Sequence, residues 1–509
     1  MCSVIDKAIV LRPNHILIRN FDMDQRIPAF KALLDVCTLT DIQKLRNGHV
    51  KITEVFPAYI TYVTEGCERN LKIPREVPMN LIKKAFPSHT VIEEINGWPV
   101  RDIEINMRPG FDFKNIDQRN IFDFLTCTGS YEERYSYGTD LVVAGTATGK
   151  SYCAIRAWVE YKVPFIGIFA QTAHLENFKT ELFKFTDLGE DEIIVIDEGA
   201  KSIDKSILSK DKSKVKCILM LHRSVANCLR DNVGPGNFSE EIFKTNVLFK
   251  LITQYKIGIA IVDEAHLELA ALIFFALFSN MAKTIYLTAT PKRTEHTEDK
   301  ILGLQLPRDR AFFVEKEKRI NVEFVEFNSK PSLETVNGMF NQLGHFLVPR
   351  YFDFVLTQYR DKWRELVASV IRQCYEKLES GCIGIVVSGK LDVVEVVIAL
   401  VKKEFPEKTV GNFTSMVKVA NRHLELDRDI IVTTDKSFNG SVNPEKMDTL
   451  ILLAPLASEV LVEQITGRLR GLKGNNCYVI DVFDSGFRNL VAMKKKRETK
   501  YRKIALSVS

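Results

Sequence analysis

Ala144-Gly145-Thr146-Ala147-Thr148-Gly149-Lys150-Ser151 and Asp263-Glu264-Ala265-His266 are the segments of this 509-residue chain whose residue types could do chemistry together. Each stands directly behind an apolar run, Leu141-Val142-Val143 for the first and Ile257 to Val262 for the second. The first reads as a strand feeding a small-residue turn that opens a helix near Ala154-Ile155-Arg156-Ala157-Trp158, so that the backbone N–H groups of Thr146 to Gly149 wrap phosphates. Lys150 then reaches the β- and γ-phosphates, and the Ser151 hydroxyl sits on Mg²⁺. The second delivers adjacent carboxylates at the carboxyl end of a buried strand, where open α/β sheets put their ligands. Asp263 suits Mg²⁺ and Glu264 suits polarising an attacking water. Each pattern also has a bland reading. Ala144 replaces the first Gly of the strict G-x-x-x-x-G-K-[ST] loop, and a lone Asp-Glu pair is commonly a solvated turn. Their coincidence, in this order and each behind a strand, points to ATP and Mg²⁺ as cofactors and to phosphoanhydride hydrolysis.

The elements around them must hold these groups in place. From Ala144 to Arg293 apolar strands (Phe165 to Phe169, Ile193 to Ile196, Cys217 to Met220, Ile257 to Val262, Thr284 to Leu287) alternate with amphipathic stretches, the pattern of a doubly wound, mainly parallel sheet. A second series, Cys382 to Val387, Ile430 to Val432, Thr449 to Leu453 and Cys477 to Ile480, predicts another sheet of the same class without a phosphate loop. Glu315 to Arg319 reads as the inter-domain connection, and Asp361 to Leu378 as the helix that leads into the second domain. The first hundred residues carry strand-like pieces, Ala8 to Leu11 and His15 to Ile18, and a helical piece at Ala29 to Val36, the makings of a small α+β module. The expected domains are 1–105, an accessory module; 106–312, carrying the phosphate loop; and 313–509, a linker and the second sheet.

Composition is that of a globular chain: 46% hydrophobic, 27% charged, net charge +5. That balance permits a polyanionic partner without requiring one. Ten cysteines lie scattered with no Cys-x-x-Cys pair, which argues against a zinc cluster or a disulfide framework and for reduced, packed thiols. No apolar run is long enough for a bilayer and Met1 to Lys7 has no signal-peptide pattern, so the expected location is cytoplasmic, a host's cytoplasm if the chain is viral, with no membrane partner.

The ordered motifs resemble those of superfamily-2 helicases and translocases, over about residues 110 to 490. Phe113 and Gln118 resemble the aromatic and glutamine that read adenine ahead of the loop. Gln171-Thr172-Ala173-His174-Leu175 is similar to the Pro-Thr-x-x-Leu segment that holds a nucleic-acid strand, with Gln for Pro. Thr288-Ala289-Thr290-Pro291 resembles the motif that couples hydrolysis to strand contacts. In the second half Ser388 sits where the fourth motif lies, and Thr433-Thr434-Asp435 with Asn439-Gly440 resembles the fifth. Gln464-Ile465-Thr466-Gly467-Arg468-Leu469-Arg470 is similar to Gln-x-x-Gly-Arg-x-x-Arg, except that Gly471 stands at the second Arg and Arg470 falls one residue early.

The resemblance implies two tandem RecA-like domains with ATP between them, Lys150, Asp263 and Glu264 on one wall and Gln464 and Arg468 on the other, Arg468 as γ-phosphate finger. Gly440 and Arg470 join the nucleotide set. Strand contacts are expected at Thr172, His222, Arg223, Ser388 and Thr434, with helix capping as the competing use of each hydroxyl. His266, Thr288 and Thr290 would couple the two activities. The basic run Lys494 to Arg497, with Lys500, Arg502 and Lys503, either grips duplex phosphates or is the wet face of a helix packing Leu490, Met493 and Tyr501. The compact plan further resembles phage branch-migration helicases of the UvsW type and, further off, RecG and XPB-like enzymes. The short run after Gln464 leaves no room for the additions of DEAH-type RNA helicases. These traits imply branched DNA, forks or Holliday junctions, as substrate, and replication or recombination proteins as partners. A duplex translocase subunit and an RNA helicase are the alternatives.

Overall fold

The computed structural model describes residues 7–21, 28–44, 50–64, 68–94, 100–126, 138–145, 148–197, 203, 210–230, 238–239, 245–265, 267, 269–289, 296–306, 310–314, 318–342, 344–388, 390–439, 444, 446–470 and 477–509. The chain forms two compact units, which part between Val314 and Glu315.

In the first unit, seven strands make one sheet in the order Ile193–Ile196, Cys217–Leu221, Phe165–Phe169, Ile259–Val262, Lys283–Thr288, Thr139–Val143, Ala311–Phe313. Every neighbouring pair is parallel. Parallel strands need helical crossovers on both faces, and these strands read as unbroken apolar runs because both faces are covered. Along Ile259–Val262, Ile259 and Ile261 enter one hydrophobic core while Ala260 and Val262 enter the other. A buried ion cluster pins the strand that feeds the phosphate loop: Asp140 binds Lys283 Nζ at 2.6 Å and Arg310 Nη2 at 2.6 Å.

The N-terminal residues form a separate mixed sheet in the order Phe238–Ser239, Ile60–Val63, Arg69–Pro74, His15–Arg19, Ala8–Leu11, Thr90–Glu93, with helices Pro28–Val36 and Met79–Ala85. Its Ile16, Leu71 and Ile73 share a core with Leu272 and Phe278 of the first unit's helix Leu269–Phe278.

The second unit holds another all-parallel sheet of seven strands: Val410–Phe413, Ile430–Thr434, Ile383–Val387, Thr449–Leu452, Cys477–Asp484, Ile320–Phe327, Ala505–Val508. The molecule is thus an α/β protein with two tandem RecA-like, doubly wound sheets and a small N-terminal α+β module. Ile320–Phe327 lies inside the sheet, beyond the polar connection expected around it, and helix Arg360–Glu376 forms where helical spacing predicts it. The basic run lies on helix Arg488–Ile504, and its charges are largely spent within the fold. Arg497 is 1% exposed and holds both Asp481 oxygens at 2.7 Å, Lys494 meets Glu498 at 2.6 Å, and Lys500 pairs with Glu463. The described cysteines are buried free thiols. No described helix is long and apolar enough to cross a membrane.

Candidate nucleotide and metal site

Strand Thr139–Val143 ends at the loop, and helix Lys150–Tyr161 starts immediately after Gly149. Gly149 carries φ +86°, and a Cβ there would stand 2.3 Å from Gln118 Nε2, so both backbone and space require glycine. The loop is tied at three points. Ala144 N donates to Thr288 O at 3.1 Å, Thr148 Oγ1 donates to Gly145 O at 2.9 Å, and Gln118 Nε2 donates to Thr148 O at 3.1 Å. Lys150 Nζ bonds Ala144 O at 2.7 Å and Gly145 O at 3.0 Å, an ammonium folded onto its own loop.

Across the sheet, Asp263 follows strand Ile259–Val262, and its N–H donates to Ile168 O at 2.9 Å. Burial pushes the Asp263 carboxyl up, but a hydrogen bond and the charge of His174, together with Lys150, hold it below the ordinary carboxylate value. His174 Nδ1 stands 3.3 Å from Asp263 Oδ2. Glu264 sits at φ +49°, a left-handed conformation that costs a non-glycine residue of order 1 kcal/mol and clusters at functional sites. The helix Thr172–Phe185 brings a further carboxyl to the same place. Glu181 bonds the Ser151 hydroxyl, and burial followed by the charge of Asp263 raises it to about 7.

Sequence reasoning gives His174 and Glu181 no place in the site. Their signal is nevertheless present: seven positions apart on one helix, they share the face that buries Leu175, Phe178 and Leu182. His222 departs from the expected strand contact. It is fully buried, with Nε2 3.2 Å from the Asp263 carbonyl, and burial pushes its imidazole down to about 4, so it stands as a neutral prop beneath the carboxylate.

Phe113 packs on the helix Lys150–Tyr161, with the Arg156 guanidinium 4.1 Å from its ring centroid and Tyr152 at its edge. Gln118 is buried, its Oε1 accepting from Lys114 N at 2.9 Å. Thr172 and Arg223 are exposed. Thr288 is buried at the end of its strand. In the second unit Thr434 Oγ1 accepts from Ser437 N at 3.2 Å, the capping use of that hydroxyl. Ser388 Oγ is buried without a hydrogen-bond partner among the described residues. Gln464 is buried on helix Glu459–Thr466, and Arg468 comes just after that helix, half-buried. Arg470 turns its guanidinium onto Gly467 O at 2.9 Å and Leu469 O at 3.0 Å, and burial, then the charges of Arg319 and Arg468, bring it down to about 10. Thr146, Ala147, His266, Thr290 and Gly440 lie outside the described residues.

Ser151 and Asp263 offer hard oxygen donors, and Lys150 a mobile cation, which suits a phosphate chain with a divalent ion bridging it to the protein. Among the described residues no group of three or more His, Cys, Asp or Glu forms an all-protein metal cage.

No family model matches the sequence, and no curated protein matches it. Among solved structures the chain is similar to S. cerevisiae Dbp5 bound to RNA and ADP BeF3, at TM-score 0.48 and 12% identity, covering 77% of this chain and 88% of that one. It is also similar to the Pyrococcus furiosus Hef helicase domain, at TM-score 0.41 and 13% identity, covering 75% and 98%.

Proposed function

We propose that the chain is an ATP-driven motor of the superfamily-2 helicase and translocase type, and that it acts on branched DNA in replication, recombination or repair. One observation carries the enzymatic half of this reading: the adjacent Lys150 and Ser151 meet Asp263, more than a hundred positions further along the chain, at the carboxyl edge of one parallel sheet, with Glu264 strained beside them. Mg²⁺ and ATP, when bound, would supply the transferable phosphoryl group and the charge that screens it. Ser151 and Asp263 would hold the metal, and Lys150, released from its own loop carbonyls, would bind the β- and γ-phosphates. Glu264 would orient water. Gln464 and Arg468 of the second unit would complete the set, with Arg468 as the finger. The bent-back guanidinium of Arg470 leaves Arg468 the better candidate.

Exposed Thr172 and Arg223 are the proposed strand contacts, using phosphate rather than base edges. The choice of branched DNA rests on the motif plan, a short N-terminal module ahead of two sheets. The test is ATPase activity and strand movement on Holliday junctions, forks, blunt duplex and RNA duplex, for wild type and Lys150→Ala. Junction movement lost with Lys150→Ala is expected. Hydrolysis retained in Lys150→Ala would sink the site, RNA unwinding would move the substrate to RNA, and activity on blunt duplex alone would make the chain a duplex translocase.

A further inference from the structure

A cavity of about 600 Å³ lies within the first unit, between the N-terminal sheet and helices Val247–Gln254 and Leu269–Phe278. It exists because pattern and burial disagree. Strand Arg69–Pro74 alternates Asn70 and Lys72 with Leu71 and Ile73, the signature of one wet face, yet Lys72 is 6% exposed. The register sets Lys72 opposite Leu17 and Ile60, and Asn70 opposite Tyr62, so Arg19, Tyr62, Asn70 and Lys72 share one face, and that face is turned into the molecule. Burying an ammonium is costly, and a cation kept in a concave site marks a candidate for function.

The lining is selective. Arg12, Arg19, Lys72 and Lys250 bring four cations to it against a single carboxylate, Glu68. Glu94, off the lining, bridges Arg12 at 2.8 Å and Arg19 at 3.1 Å and so fixes both guanidiniums. Tyr62, Phe249 and Phe278 add rings. Asn280, also on the lining, is 7% exposed, and its Oδ1 is buried without a hydrogen-bond partner among the described residues. Burial, with the charge of Arg12 next, brings the Lys72 ammonium down to about 7, a shift that a bound anion would reverse.

We propose that this cavity is a second phosphate-ester site, separate from the loop around Lys150, that takes the phosphate of a single nucleotide on its cations. Guanidinium forks match phosphate oxygens, and the volume falls within the range of small-ligand pockets. A free mononucleotide and the phosphorylated 5′ end of a strand present the same group. This site goes beyond the proposed motor activity and does not depend on it.

The experiment is fluorescence anisotropy on the full chain in a Lys150→Ala background, with a 3′-labelled tetranucleotide bearing a 5′ phosphate or a 5′ hydroxyl. The phosphorylated probe should bind at least roughly tenfold more tightly. Lys72→Met should erase that preference, and Lys250→Ala, on the exposed rim where folding is not at stake, should weaken it several-fold, about the loss of one charged contact. Displacement by unlabelled dAMP would assign the site to free nucleotide, and resistance to dAMP would assign it to strand ends. Equal affinity for the two probes, or unchanged binding in both variants, would overturn the proposal. Unlabelled dAMP binding that appears only when Lys150 is restored would place the ligand in the first loop and overturn it as well.

Discussion

The two parallel sheets are wound identically. Counting strands in chain order within each, both run third, fourth, second, fifth, sixth, first, seventh from edge to edge. They differ in the residues at the carboxyl ends of their strands. After its first strand the first unit's parallel sheet turns into Gly149-Lys150-Ser151; the second unit's turns, after Ile320–Phe327, into Ser329 and Lys330 and a short helix capped by Ser332. After its fifth strand the first sheet presents Asp263 and Glu264, whereas the second presents Leu453 and Ala454. Charge is handled differently too. Each half buries one satisfied ion cluster, Asp140 with Lys283 and Arg310 in the first and Asp481 with Arg497 and Tyr501 in the second. The first adds shifted carboxyl and imidazole groups around its strand ends, Asp263, Glu181 and His222, and a shifted Lys72 in its cavity. One scaffold, used twice, gathers charged and strained groups at the end of the fifth strand in one copy and apolar ones at the corresponding end in the other.

The sharpest way to break that contrast is to ask whether the second half does chemistry at all. Arg468→Ala should lower ATP turnover by ~10³ while leaving nucleotide affinity nearly intact, because a finger acts on charge that develops in the transition state. Steady-state ATPase rates with fluorescent nucleotide titrations measure both. Turnover within a few-fold of wild type would leave the second half as scaffold alone.

If cohesion is what the second half's buried charges provide, Arg497→Ala should be severe for stability. It strands Asp481 in the core, which costs about 3–5 kcal/mol, whereas Lys495→Ala on the exposed side of the same helix should stay within about 0.5 kcal/mol. Urea denaturation midpoints separate the two. Equal effects would mean that the run acts as a solvated basic surface.

That outcome also marks where reading the sequence ends. The phosphate loop, the Asp263 strand and most apolar strands are legible because each is local: a run, a glycine turn, a carboxylate at a strand end. Arg497 is not, since its partner Asp481 sits on a strand that only the folded sheet brings beneath it. Ala505–Val508 escapes for the same reason, as its pairing partner Ile320–Phe327 lies nearly the whole second domain away in sequence. His222 shows a third kind of failure. Its place after a strand is as expected, but whether its ring faces solvent or the Asp263 carbonyl depends on neighbours the sequence does not name.

Within the first half, His174 tests whether the stressed groups serve the metal. Removing a hydrogen-bond partner from a ligating carboxylate typically weakens metal binding 10–100-fold. His174→Ala should therefore raise the Mg²⁺ concentration needed for half-maximal nucleotide binding by about tenfold, with metal-free binding unchanged. An equal loss with and without Mg²⁺ would make His174 a packing residue.

A further test concerns pH, and its sign is fixed by the direction of the Lys72 shift. The folded chain releases the Lys72 proton at about 7, whereas a lysine in the unfolded chain holds it to 10.5. Between these values the unfolded state binds more protons, so this residue makes the first unit more stable as pH rises, by at most about 1.4 kcal/mol per pH unit. Glu181 works the other way, since a carboxyl raised to about 7 loses its stabilising contribution as pH climbs through that value. The informative quantity is therefore the difference between wild type and Lys72→Met in urea midpoints at pH 7 and pH 9. The variant should be the more stable at pH 7 and lose most of the upward slope. Parallel curves would mean that Lys72 is already compensated inside the fold, and the contrast between a stressed first half and a satisfied second would then rest on the Asp263 cluster alone.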